Sequence, residues 1–216
     1  MIPEDVSVRA RFERFPATVK GAFVLRGEDA NPHLIEFNAA RIVSLVGTLA
    51  PPIAMKPVVL DIPPHQDVFL PFEFGTTELE AGWYGLECDV SVDGGDRTYP
   101  GGRRFVVSWP RATVRRGTVP VGDTLRLGSG LKVTLGAVEC SGEQAVLKFG
   151  AEPSEPVSVQ IHADGNRLQE LESEFDMESG QGRVAVYPVM RAHEVLRIEA
   201  VGDQDVSASA IEVPLR

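Results

Sequence analysis

The sequence predicts an all-β protein of two tandem β-sandwich domains, covering residues 1–110 and 111–216. Three observations support this fold class. Apolar and polar residues alternate along residues 82–92, as they do on a strand with one buried and one solvated face. The 21 glycines and 16 prolines recur at short intervals, which favours many short strands over long helices. A length of 216 residues suits two domains, since domains usually contain about 100–150 residues.

A β-hairpin between residues 82 and 109 is the clearest element. Its first strand places one set of side chains toward the core: Tyr84, Leu86, Cys88, Val90 and Val92. Asp93-Gly94-Gly95-Asp96 has the composition of a turn, and Phe105, Val107 and Trp109 predict a returning strand.

The start of this hairpin resembles the tyrosine corner of immunoglobulin-like sandwiches. Leu79, Gly82 and Tyr84 follow the pattern Leu-x-x-Gly-x-Tyr, which leads into the penultimate strand of those domains. The resemblance implies a sandwich in which the Tyr84 hydroxyl returns to upstream backbone. It does not imply the inter-sheet disulfide, because Leu86 stands where antibody-type domains have cysteine. It brings no ligand or activity with it.

The remaining strands follow from the same alternation. We expect about seven in the first domain, the number typical of an immunoglobulin-like sandwich: 6–12, 18–26, one or two pieces of 33–46, 57–62, 68–74 and the hairpin. A break is expected near Asn38, and Pro51-Pro52 is expected to be a turn or linker. Prolines make 57–62 and 68–74 candidates for edge strands. The second domain should hold about eight strands in a sandwich or open barrel.

The charge balance limits the possible partners. The formal net charge is −10 and the pI is near 4.9, which argues against nucleic-acid binding and against adhesion to anionic membranes. The N-terminus resembles no signal peptide, and no apolar run is long enough to span a membrane. We therefore expect a cytoplasmic protein, in which Cys88 and Cys140 are reduced structural thiols.

Two clusters of like charge stand out as candidate binding residues. Arginines, with no acidic residue among them, occupy positions 97, 103, 104, 111, 115 and 116; the candidates are Arg103, Arg104, Arg111, Arg115 and Arg116. The acidic run from 170 to 178 has five carboxylates that would share one strand face; its candidates are Glu170, Glu172 and Glu174. Both clusters are explained by solvated surfaces. The alternative is that they meet, between domains or between two copies.

The glycines beside two of these arginines suggest a further possibility. In Pro100-Gly101-Gly102-Arg103-Arg104, the backbone amides of a Gly-Gly turn next to two guanidinium groups could hold an anion. A hairpin loop with exposed arginines explains the same stretch.

No motif of an enzyme, metal site or cofactor site is present. The four histidines (His33, His65, His162 and His193) lack zinc-ligand spacing, and each is expected in a turn or on a strand surface. The sequence thus predicts a non-enzymatic protein-interaction or scaffold module without a cofactor, whose partner is another protein or a second copy. Two alternatives stay open: a small-molecule, anion or carbohydrate binder that uses an interdomain cleft or the Gly101–Arg104 loop, and an enzyme assembled only in three dimensions.

Overall fold

A computed structural model of the chain describes residues 5–46, 49–203 and 208–215. All regular secondary structure within these residues is β-strand, which confirms the all-β prediction. None of the described residues forms a helix long and apolar enough to cross a membrane. The chain divides into two units, Met1–Val107 and Ser108–Arg216, and each unit has its own hydrophobic core.

Unit 1 is built from two antiparallel sheets. Its strands are β1 (Val6–Arg14), β2 (Thr18–Gly27), β3 (His33–Ser44), β4 (Leu49–Ile53), β5 (Val58–Ile62), β6 (Asp67–Gly75), β7 (Gly82–Val92) and β8 (Gly95–Val107). One sheet has the order β1-β2-β6 and the other the order β4-β3-β7-β8, with β5 also paired to β3. The predicted hairpin is therefore confirmed as β7 and β8.

The two sheets of unit 1 face each other across an aromatic core. Phe23 of β2 lies 5.5 Å from Phe37 of β3, measured between ring centroids, and Phe12 of β1 lies 5.9 Å from Phe105 of β8. Each pair joins one sheet to the other. Burial of alternate side chains on both inner faces gives a β-sandwich.

The tyrosine corner predicted from the sequence is confirmed. The Tyr84 hydroxyl donates a hydrogen bond to the carbonyl oxygen of Glu80 at 2.9 Å. The Tyr84 ring stacks on Phe105 at 5.5 Å. Unit 1 is thus an immunoglobulin-like sandwich without the disulfide of antibody domains, because Cys88 is a free, buried thiol.

Prolines and bulges explain where unit 1 differs from the prediction. The segment 33–46 contains a single strand to Ser44, and the expected break near Asn38 is a bulge between Phe37 and Ala39 in the pairing of β3 with β7. Pro51-Pro52 lies within β4, so its assignment to a turn or linker was wrong. An edge strand such as β4 tolerates proline because one side of it has no partner for a backbone N–H.

Unit 2 is a second two-sheet sandwich. Its strands are β9 (Gly117–Val119), β10 (Thr124–Arg126), β11 (Lys132–Cys140), β12 (Ala145–Glu152), β13 (Val157–Ala163), β14 (Asn166–Arg167), β15 (Glu170–Asp176), β16 (Gln181–Val186), β17 (Val195–Gly202) and β18 (Ser209–Pro214). One sheet has the order β10-β11-β12-β16-β15, with β9 paired to β11, and the other the order β14-β13-β17-β18. Buried Leu135 and Leu147 come from the first sheet, and Ile161 and Ile198 from the second.

Candidate functional site

Two neighbouring arginines project from the outer face of β1. Val8, Ala10 and Phe12 alternate toward the core, which leaves Arg9 and Arg11 exposed on the opposite face. Residues two apart on one strand have Cα atoms about 6.7 Å apart. Neither guanidinium forms an ion pair or side-chain hydrogen bond with any residue in 5–46, 49–203 or 208–215. We call this pair the arginine ridge (Arg9 and Arg11).

The arginine ridge stands above an apolar position of the neighbouring strand. Arg9 is opposite Val24 of β2 in the strand register, and Val24 is only 5% exposed although it faces outward. The ridge and Val24 line a cavity of about 260 Å³. Arg26, Glu28 and Asp67 line the same cavity, and Arg26 forms ion pairs with Asp67 at 3.3 Å and with Glu28 at 3.8 Å. The aliphatic stems of the arginines can cover Val24 while their charged heads stay in water.

A bulge in β8 brings Arg103 to β1. The pairing of β7 with β8 shifts register between Gly85 and Glu87, and Gly102 has a φ of 73°. Glycine adopts this left-handed conformation without steric cost, which is why bulges use it. Arg103 then donates through Nη1 to the carbonyl oxygen of Phe12 at 3.0 Å, and its Cζ lies 5.3 Å from the centre of the Phe12 ring.

This geometry corrects the interpretation of residues 101–104 as a hairpin loop. Gly101, Gly102, Arg103 and Arg104 all belong to β8, so no Gly-Gly turn is available to hold an anion. The sequence signal was misleading because glycine marks bulges within strands as well as turns between them.

Arg103 and Arg11 line a shallow groove of about 550 Å³. We call it the cationic groove, lined by Arg11, Phe12, Glu13, Phe15, Lys20, Gly21 and Arg103. It combines three cations with one carboxylate, and Lys20 also binds Glu73 at 2.9 Å. Phe15 is 43% exposed at its rim. The groove therefore offers both guanidinium donors and aromatic surface to a ligand.

His33, expected on the surface, is buried at the start of β3. Its Nδ1 lies 2.7 Å from an Asp93 carboxylate oxygen, and its Nε2 lies 2.8 Å from one of Asp29. These two carboxylates raise the pKa of His33. The pKa of Asp93 is lowered mainly by the bond to His33, and that of Asp29 by the Asn31 backbone amide first and by His33 second. Both ring nitrogens are occupied, so neither is available as a metal ligand or a general base.

The predicted arginines are placed at several different positions. Arg104 lies in β8 opposite Gly85, and Arg111 is exposed in a turn. Arg115 and Arg116 line a cavity of about 290 Å³ together with Arg191, which the sequence did not single out. Arg191 follows Arg116 by 75 residues, so no local pattern links them.

The predicted acidic face is interrupted by a bulge. The pairing of β15 with β16 shifts register between Glu170 and Glu172, and Glu178 lies beyond the strand in a turn. The prediction that all five carboxylates share one strand face was therefore wrong. Arg183 Nη1 lies 2.6 Å from a Glu172 carboxylate oxygen and 3.9 Å from one of Glu174. Glu170 has Arg167 as a partner at 3.7 Å. Arg183 and Arg167 of unit 2 are therefore ion-pair partners of these glutamates. A meeting with the predicted arginine cluster, between the domains or between two copies of the chain, stays a prediction.

Sequence reasoning missed the arginine ridge, although a signal was available. The alternation along residues 6–12 was used only to predict a strand. Two arginines at adjacent outward positions of a strand that belongs to an acidic chain were the informative feature. In the part of the chain that the structure describes, no cluster of three or more His, Cys, Asp or Glu residues is arranged to hold a metal ion.

Comparison with known proteins yields distant likenesses to solved structures. No protein-family profile and no curated protein matches the chain. Two structures of a marsupial T cell receptor are similar to it, at 11% and 8% identity with TM-scores of 0.28 and 0.27. Each aligns with 98% of this chain, which spans 62% of the first receptor chain and 97% of the second.

A structure of three immunoglobulin domains of titin, carrying mutations, is similar at 13% identity with a TM-score of 0.25. The alignment covers 97% of this chain and 64% of the titin chain. Likenesses of this degree carry no argument about function.

Proposed function

We propose that this protein is a non-enzymatic interaction module, and that unit 1 binds an extended acidic segment of a partner protein along the arginine ridge and the cationic groove. The observation that carries this proposal is the absence of any carboxylate partner for Arg9 and Arg11 among the described residues. Other arginines also lack an ion pair within the described part of the chain, but Arg9 and Arg11 lie two residues apart on the exposed face of one strand.

Carboxylates are the chemistry that best satisfies the ridge. Two adjacent guanidinium groups repel each other, and an anion placed between them removes that repulsion. The planar donor fork of arginine binds a carboxylate through two parallel hydrogen bonds. An acidic segment therefore gains from both arginines at once, and its binding should weaken as salt screens the charges.

The spacing of the ridge favours an extended ligand. On a regular strand the Cα atoms of Arg9 and Arg11 are about 6.7 Å apart, and the Cα atoms of the two glutamates in an extended Glu-x-Glu segment have the same spacing. Phe15 is 43% exposed in the adjoining groove, where an apolar side chain of the ligand can pack. The expected ligand thus alternates acidic and apolar residues.

A defined peptide can test this proposal. The sequence of residues 170–176, Glu-Leu-Glu-Ser-Glu-Phe-Asp, has the expected alternation and serves as the probe. Titration of the ¹⁵N-labelled full chain should shift amide resonances of β1, of the start of β2 and of residues 101–104. The R9E/R11E variant should bind the peptide at least about tenfold more weakly.

Two controls separate specific binding from bulk charge. The K56E/R111E variant changes the net charge equally at exposed positions that do not line the groove, and it should bind like wild type. A peptide with Gln and Asn in place of Glu and Asp should bind weakly to wild type. Equal binding by R9E/R11E and wild type, or by the neutral peptide, would refute the proposal. Salt-sensitive dimerisation that R9E/R11E abolishes would instead identify a second copy of this chain as the partner.

A further inference from the structure

A backbone bridge in unit 2 fixes two arginines beside each other. Val114 and Met190 form an isolated antiparallel bridge. The Arg115 amide donates to the carbonyl oxygen of Val189 at 2.8 Å, and the Arg191 amide donates to that of Thr113 at 2.8 Å. Val114 and Val189 are fully buried, and Val189 belongs to the core of unit 2, which anchors the bridge.

Their guanidinium groups are held by neutral atoms. Arg191 donates through Nε to the carbonyl oxygen of Val114 at 3.1 Å, and Arg115 donates through Nη2 to that of Leu215 at 3.2 Å. Arg115 Nε is buried and has no hydrogen-bond partner among the described residues. Neither side chain forms an ion pair within that part of the chain.

Arg116 completes the cluster because residue 142 is glycine. A Cβ added to Gly142 would lie 2.5 Å from Nη2 of Arg116 and 3.2 Å from its Cζ, so the guanidinium rests directly against the glycine backbone. Arg116 has neither an ion pair nor a side-chain hydrogen bond within residues 5–46, 49–203 and 208–215. Together the three side chains line the cavity of about 290 Å³, which we call the arginine cavity (Arg115, Arg116 and Arg191).

We propose that the arginine cavity binds a tetrahedral oxyanion, either inorganic phosphate or the terminal phosphate of a small molecule. Three positive charges around one space repel one another unless a multivalent anion lies among them. A phosphate carries about 1.5 to 2 negative charges at neutral pH and has several equivalent oxygens, which suits three guanidinium groups that line one cavity. A single carboxylate offers fewer oxygens and less charge. The site is independent of the groove in unit 1.

Calorimetric titration of the full chain with inorganic phosphate at low ionic strength tests the site. Wild type should bind one phosphate. The R116Q variant should lose at least about tenfold in affinity, because it removes a charged donor to the phosphate. Its folding should be unaffected, since the Arg116 side chain forms no ion pair or hydrogen bond with the described residues. The R191K variant keeps the charge but loses the planar fork, and it should also bind more weakly.

Neighbouring positions supply the controls. Arg111 is exposed and does not line the cavity, so R111Q should retain phosphate affinity within about twofold. The G142A variant keeps every arginine but displaces Arg116, and it should weaken binding. A glycerol phosphate that binds more tightly than inorganic phosphate would identify a phosphorylated small molecule as the ligand, and the reverse order would identify free phosphate. No binding of either by wild type at millimolar concentration, or an equal loss in R111Q and R116Q, would overturn the proposal.

Discussion

His33 shows how one side chain couples the stability of unit 1 to pH. It is 6% exposed, and its ring is bound between Asp29 in the loop before β3 and Asp93 in the turn after β7. The fold raises the pKa of His33 above its ordinary value of 6.5 because the two carboxylates stabilise the protonated ring. The proton is therefore bound more tightly in the folded than in the unfolded state.

We expect this contribution to disappear in alkaline solution. A raised histidine pKa stabilises the fold fully below pH 6.5, and the effect is lost as the pH rises through the folded-state pKa. The lowered pKa values of Asp29 and Asp93 contribute stability above their ordinary value of 3.8, which is lost as the pH falls through their folded-state values. Urea unfolding of wild type and of His33→Gln should differ more near pH 5.5 than near pH 8.5.

His65 provides the matched control for this measurement. It lies in an exposed turn with a φ of 57°, a conformation that asparagine also tolerates. The His65→Asn variant should follow wild type at both pH values. If His33→Gln changed stability by the same amount at both, the fold would not raise the pKa of His33.

At the scale of elements, the bulge of β8 determines where unit 1 presents its arginines. Residues 101–103 stand opposite the single residue Leu86 of β7, so β8 has two extra residues here, and Arg103 donates to the carbonyl oxygen of Phe12 in the other sheet. Gly101 of β8 is buried against β7 and β1: a Cβ at this position would lie 2.9 Å from the Leu86 carbonyl oxygen and 3.1 Å from the Ala10 Cβ. The groove therefore depends on a glycine that does not line it.

A methyl group at Gly101 should destabilise unit 1. Because the neighbouring atoms include backbone, Gly101→Ala is expected to cost about 1–3 kcal/mol in free energy of unfolding. Gly85, on the paired strand, has open space where its Cβ would be, and Gly85→Ala should stay within about 0.5 kcal/mol of wild type. Chemical denaturation of both variants measures the difference. Equal stability of the two would show that β8 can shift to make room.

At the scale of the whole molecule, each unit depends on a core of its own. Phe23 is fully buried in unit 1 and lies 5.5 Å from Phe37 and 5.0 Å from Phe72. Among the residues that the structure describes, none of unit 2 belongs to that core cluster. A substitution that disrupts the core of unit 1 should therefore destabilise unit 1 and leave unit 2 folded.

We expect Phe23→Ala to cost about 3–5 kcal/mol. Hydrogen exchange followed by mass spectrometry should show faster exchange throughout unit 1 and unchanged protection in unit 2. Phe69→Ala is the control, because Phe69 is 54% exposed and its loss should cost less than about 0.5 kcal/mol. Faster exchange in both units after Phe23→Ala would mean that the two unfold as one.

Residue patterns that repeat within a few positions could be predicted from the sequence. Alternation along residues 6–12 and 82–92 predicted β1 and β7, and the spacing of Leu79, Gly82 and Tyr84 predicted the tyrosine corner. These features depend on the two-residue period of a strand and on a bond that spans four residues. Their physical cause is local, so the sequence determines them directly.

The candidate sites depend instead on which distant segments pack together. Arg103 reaches β1 only through the bulge in β8, His33 is bound by an aspartate 60 residues away, and Arg191 joins Arg115 through a bridge between separate segments. Register and bulges are set by the packing of complete sheets. The sequence by itself determined the strands and the fold class. Only the tertiary structure decided which charges meet, because side-chain neighbours across a sandwich have no fixed spacing along the chain.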